Sequence, residues 1–166
     1  MISPLRFLRR ALFFFSFLAA TSSVFAGVPR PFESRVVATW DNVFYALPEF
    51  QHPDGAQFLG YGLTTHMGRA AQNGDLFLLS NTPDAMGEIP GVGSVTLTAS
   101  NGDTLTFDYL GSLNVVTGVG TGIFIFTGGT GRFAGATGGG TFHAVIDLSQ
   151  PTNQAMTVDL DGTVNY

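Results

Sequence analysis

Gly128-Gly129-Thr130-Gly131-Arg132-Phe133-Ala134-Gly135-Ala136-Thr137-Gly138 is the stretch that decides the fold. It sets five glycines around one phenylalanine, between two segments of β-strand character. Glycine permits positive φ and close backbone approach, so the run reads as a tight corner between strands. Phe133 is then expected to plug one end of a β-barrel, and Arg132 to pair with an acidic neighbour. Residues 118–140 hold ten glycines, which also raises phosphate binding. No Lys-Ser/Thr pair follows them and no helical pattern supplies an N-terminal dipole. Neither a Walker loop nor a dinucleotide fingerprint is therefore present.

The flanking segments alternate with period two, and no stretch longer than a few residues shows helical periodicity. Residues 122–127 are apolar on both faces, with Ile123 and Ile125 on one and Phe124 and Phe126 on the other. One face is expected to fill a barrel and the other to meet a partner subunit or a covering segment. Residues 141–148 put Phe142, Ala144 and Ile146 inward, with His143 and Asp147 on the other face. Residues 156–166 alternate too, with a bulge or bend expected at Asp161-Gly162.

Residues 94–100 and 104–110 form the clearest hairpin. A three-residue loop, Asn101-Gly102-Asp103, is expected, with a bulge at the glycine. That loop sets Leu97 opposite Phe107 and Val95 opposite Tyr109. Further strands are read at 35–45, with Val36, Ala38 and Trp40 on one face, and at 57–66 and 75–80. Residues 48–55 and 81–93 read as loops.

The count is about eight antiparallel strands in an all-β chain. Closing them into a barrel removes exposed edges. A barrel of that size is filled by its own side chains or holds one small ligand. An open β-sandwich is the alternative, but no cysteine pair or Greek-key spacing favours it.

The corner resembles the Gly-Gly-Thr-Gly-Lys/Arg-Phe-x-x-Ala-x-Gly corner of dirigent proteins, through residues 128–133 with Ala136 and Gly138. Allene oxide cyclases carry a related corner. The chain also looks like bacterial secreted proteins with an allene-oxide-cyclase-barrel-like domain. The matching blocks are Thr65-His66-Met67-Gly68-Arg69, residues 101–105, and the closing Gly162 to Tyr166. The resemblance covers most of residues 60–166. It implies an eight-stranded antiparallel barrel, commonly trimeric, that holds apolar small molecules. The acidic and tyrosine residues with which dirigent proteins steer quinone methides find no match here. Neither do the carboxylate and water-holding residues of the cyclases. The resemblance therefore carries over the structural corner (Gly128, Gly129, Gly131, Arg132, Phe133 and Gly138) and no catalytic residue.

The N-terminus reads as a signal peptide. Arg6, Arg9 and Arg10 precede an apolar run over residues 11–20, and Val24-Phe25-Ala26 fits a small-x-small cleavage site. The run is about half of the roughly 20 residues a membrane span needs. Residues 1–26 are thus expected to be removed, residues 27–33 to form an exposed leader, and residues 34–166 to form a single barrel domain. Export to the periplasm or the outside follows, without stable membrane insertion after cleavage.

Losing three of the seven arginines takes the net charge from −5 to −8, and the chain has no lysine. Such a surface is a poor partner for nucleic acid or anionic membranes. The absence of cysteine excludes disulfides, thiolate metal sites and a cysteine nucleophile.

His52, His66 and His143 lack metal-ligand spacing, so no metal is expected, nor any cofactor. Asp159-x-Asp161-Gly162 lacks the remaining ligands of a calcium loop. The candidate ligand-binding residues are His66, Arg69, Tyr109 and His143, with no catalytic role assigned. Three functional readings follow. The first is an exported barrel that binds a small apolar or amphiphilic ligand without catalysis. The second is a structural or interaction module of the cell envelope with a filled barrel. The third is an isomerase or cyclase resembling allene oxide cyclase. An outward apolar face on residues 122–127 would also predict a homo-oligomer, with a trimer implied by the resemblance.

Overall fold

The computed structural model describes residues 28–43, 55–150 and 152–166. The expected signal peptide and His52 lie outside the described residues. Eight strands follow one another in chain order: β1 (Arg30–Val43), β2 (Gly55–Thr64), β3 (Gly68–Leu78), β4 (Glu88–Ala99), β5 (Thr104–Asn114), β6 (Val119–Gly129), β7 (Thr137–Ile146) and β8 (Gln154–Asn165). Each pairs antiparallel with the next, and β8 returns to β1, closing the barrel. The expected barrel is therefore the observed one. A single 3-10 turn, Gly131–Phe133, forms the corner between β6 and β7.

Period-two alternation sets the inside from the outside. On β1, Phe32, Ser34, Val36, Ala38 and Trp40 are buried, while Glu33, Arg35, Val37 and Thr39 are exposed. On β6, Phe124 and Phe126 point in, and Ile123 and Ile125 stay 50% and 60% exposed. Ring partners fill the interior near the corner. Phe32 meets Phe126 edge-on at 4.9 Å, and Phe107 meets Phe124 at 5.1 Å between ring centres. Phe133 is fully buried and packs edge-on against Tyr166 at 4.8 Å. Arg132 Nε lies 3.6 Å from Asp103 Oδ2.

Five expectations need correction, the first being the third strand, expected at 75–80, which begins at Gly68. β1 begins at Arg30 and Phe32 is buried, so the leader does not reach residue 33. From Arg30 to Glu33 the strand pairs with β8 alone, and pairing with β2 starts at Ser34. Pro31 turns its carbonyl to His66 in the β2–β3 turn. Its missing N–H therefore faces the side without a ladder, where proline is tolerated.

Pro90 follows the same rule. It lies inside β4, one residue before Gly91, whose pairing with Leu78 is the last of the β3 ladder. The loop expected at 81–93 is thus only residues 79–87.

The β4–β5 hairpin also differs in register. Its three-residue loop is Ser100-Asn101-Gly102, which sets Leu97 opposite Leu105 and Val95 opposite Phe107. Gly102, at φ 88°, takes the left-handed position that ends such a loop. The shift is two residues, so every side chain keeps its expected face.

The register along β8 runs unbroken through Asp161-Gly162. The irregularity lies instead between β5 and β6, where Thr106 pairs with Gly128 and Phe107 with Phe126. Thr127 is left over, and the adjoining Gly128 has φ 129°, a conformation that favours glycine.

Candidate functional site

A cavity of about 60 Å³ lies in the half of the barrel opposite the glycine-rich corner, and it is open rather than sealed. Trp40, Phe58, Leu76, Leu113, Phe142 and Met156 form much of its wall. Leu78, Ile89 and Ile146 line it near the strand ends that carry the β3–β4 and β7–β8 connections. Phe107 lines it at the inner end and belongs to the phenylalanine cluster that separates it from the corner.

The wall takes its shape from large rings seated over small residues. Phe142 lies over Gly111 and Gly122, where an added Cβ would stand 2.7 and 2.6 Å from the ring. Tyr109 meets Phe142 edge-on at 5.4 Å. Its hydroxyl donates to the Asp75 backbone carbonyl at 2.8 Å. Burial, and then the nearby Asp75 charge, push the Tyr109 phenol above its ordinary pKa, so it stays protonated at neutral pH.

Of the four candidate residues, the structure brings only Tyr109 to the cavity. His66 sits at the opposite end, in the β2–β3 turn, at φ 66°. Its Nε2 lies 2.8 Å from the Pro31 carbonyl, and its ring meets Tyr166 edge-on at 5.7 Å. Arg69 is exposed, with its guanidinium 5.6 Å from the centre of the Tyr61 ring. His143 is exposed on the outer face of β7, across from Asp159 on β8. These four residues do not form one site.

The polar side chain that the sequence reading missed is Gln72. It is 3% exposed, lines the cavity, and its Oε1 has no hydrogen-bond partner. The signal was available in parity, since Ala70, Gln72, Gly74 and Leu76 all point inward on β3. Reading β3 as beginning at Asp75 left Gln72 out. Ser112 also borders the cavity. Among the described residues, no carboxylate or histidine lines it, and no three His, Cys, Asp or Glu side chains gather to hold a metal ion.

No protein-family model matches the chain, and no curated protein matches it. Among solved structures it is similar to the pterocarpan synthase dirigent protein GePTS1, with a TM-score of 0.50 and 17% identity over 83% of this chain and 86% of that one. The pterocarpan synthase dirigent protein PsPTS1 aligns with a TM-score of 0.49 and 18% identity, over 82% and 96% of the two chains. At this identity the likeness to GePTS1 is one of fold: the chain has a dirigent-like, closed eight-stranded antiparallel barrel.

Proposed function

We propose that this protein is an exported barrel that binds a small apolar or amphiphilic molecule in its open cavity without transforming it. The observation that carries the reading is the wall itself. Aromatic and aliphatic side chains surround a cavity whose polar residues are the buried Gln72 amide, the engaged Tyr109 phenol and Ser112. Apolar walls with few polar groups are the usual character of small-molecule sites. Binding is preferred to an isomerase like allene oxide cyclase because the described wall offers no carboxylate or imidazole as a general base. The signal-like N-terminus supports export, and the acidic, lysine-free composition supports solubility outside the cell.

Native mass spectrometry of the protein purified gently from an exporting host tests the reading. The expected result is a chain beginning at Gly27 that carries a small-molecule adduct. An uncleaved chain overturns export. A chain that stays free of adducts when challenged with apolar compounds overturns ligand binding.

A second reading rests on the outer surface. Val92, Leu110 and Ile123 are lateral neighbours on β4, β5 and β6, with Ile125 one step along. Leu110, Ile123 and Ile125 are each at least half exposed. An apolar face of this kind fits burial against a second copy of the chain.

A further inference from the structure

We infer that Gln72 is a polar anchor for the ligand, and that the ligand is a slim, elongated molecule with a hydrogen-bonding head, such as a hydroxyl, leading an apolar chain. The inference deepens the binding reading above and rests on it. A buried amide oxygen without a partner destabilises the fold, because it has lost its water and gained no hydrogen bond. Gln72 Oε1 is such an atom, and it stands on the wall of an otherwise apolar cavity. Among the described residues, the other two buried side-chain oxygens without partners, on Gln154 and Asn165, do not line the cavity. An amide offers a donor and an acceptor whichever way it is turned, so it suits a hydroxyl head in either role.

Position and volume set the shape of the ligand. Gln72 lies toward the inner end of the cavity, while Leu78 lies at the end of the same strand. About 20 Å of tilted strand separates them. A head that reaches Gln72 therefore trails its tail past Leu76 and Leu78 toward the mouth. The cavity, about 60 Å³, is less than half of the roughly 150 Å³ that accepts a benzene ring. A fused ring system does not fit that volume, whereas a single chain can place its head inside and let its tail leave through the open mouth.

The polar contacts of the wall match one head group. The Tyr109 hydroxyl already donates to the Asp75 carbonyl, which leaves its oxygen free only to accept. Tyr109 can only accept from the head, whereas the Gln72 amide, with its oxygen unpartnered, can both accept and donate.

The test compares 1-hexanol with heptane, which replaces the hydroxyl by a methyl group. Binding is read from the shifts of cavity methyl groups by nuclear magnetic resonance, in the wild-type protein and in Gln72→Met. The ratio of hexanol to heptane affinity is expected to fall about tenfold in Gln72→Met. The ligand-free variant is expected to melt higher than the wild type, because the unpartnered amide has gone. An unchanged ratio overturns the anchor and assigns the amide to a bound water. A Gln72→Met protein that melts lower, or does not fold, shows that the amide is satisfied within the fold and also overturns it. If neither probe binds the wild type, the binding reading itself fails, and the anchor fails with it.

Discussion

Tyr109 reaches the Asp75 carbonyl by passing over Gly93. Gly93 pairs with Tyr109 across β4 and β5, and an added Cβ on Gly93 would stand 2.6 Å from the Tyr109 hydroxyl oxygen. The hydrogen bond therefore exists because residue 93 has no side chain. Gly93→Ala must displace the phenol or shift the backbone, and the expected loss is about 1–3 kcal/mol by overpacking. Tyr109→Phe removes only the hydroxyl and is expected to cost about 1 kcal/mol. Urea denaturation of the two variants checks the order. Equal losses would show that Gly93 does nothing beyond accommodating that one bond.

The same phenol sets an alkaline limit. Its folded pKa is raised, so its contribution is fully present below the unfolded tyrosine value of about 10. Above that pH the unfolded chain releases the proton and the folded chain keeps it, so stability falls as pH rises. Ultraviolet titration of the folded protein is expected to show a tyrosine component that resists ionisation until unfolding. In Tyr109→Phe that late component should vanish. Its persistence would place the resistant phenol elsewhere.

At the corner, packing and charge separate. Phe133 is fully buried against Tyr166, whereas the Arg132–Asp103 pair is partly exposed and loose at 3.6 Å. Phe133→Ala is expected to cost about 3–5 kcal/mol, and Arg132→Ala less than about 1 kcal/mol. Thermal melts of both variants decide it. A larger loss at Arg132 would mean that the ion pair, not the plug, holds the corner.

The faces of the barrel were legible in the sequence, and the positions along its axis were not. Strict alternation sorted Trp40, Leu97, Phe107 and Phe142 to one side without any knowledge of partners. On β6, where both faces are apolar, parity left two choices, and only closure of the barrel put Phe124 and Phe126 inside. Prolines misled twice. Pro31 and Pro90 fall in the segments expected to be leader and loop, where proline argues against a strand, yet each sits where one neighbouring ladder has ended. His66, Arg69, Tyr109 and His143 were candidates by residue type. Strand register and tilt decide which end and which side each reaches, and those depend on pairings remote in sequence. Gln72 was hidden by a missed strand start, not by chemistry.

Asp84, Asp147 and Asp159 all have carboxyls held below the usual range, and two of them contribute to the acid limit by different routes. Asp84 accepts from the backbone N–H groups of Glu88 and Met86, which hold its carboxyl below the usual range. The Asp159 carboxyl is held down chiefly by the hydrogen bond from Arg35, with His143 adding a smaller pull. A depressed carboxylate contributes stability above its unfolded value of about 4, and the contribution is lost as pH falls below that. The melting temperature should therefore drop below about pH 4, and less steeply in Asp84→Ala or Asp159→Asn. Salt distinguishes the two. At 1 M NaCl the exposed Asp159–Arg35 pair is screened, so Asp159→Asn should match the wild type. Asp84→Ala should still differ, because its partners are backbone N–H groups. Equal salt responses would contradict this division.

The outer face of β4 to β6 makes the last prediction. Val92, Leu110 and Ile123 stand side by side because their registers align across three strands, and Ile125 extends the apolar surface along β6. No charged residue interrupts that row, although Asp108 lies opposite Ile125. Burying such a face against another copy removes apolar area from water on both partners. A single aspartate at its centre would leave a charge in the contact without a partner, which is costly. Sedimentation velocity is expected to show a homo-oligomer for the wild type and a monomer for Ile123→Asp. Because residue 123 points away from the core, the variant's melting temperature should change only as far as the lost assembly requires, and Leu97 and Phe107 should remain packed. Ile125→Asp should act in the same direction but more weakly, because it lies off the aligned row. An Ile123→Asp protein that assembles as before would refute this interface and turn attention to Val37, Leu59 and Leu63, the apolar surface of β1 and β2.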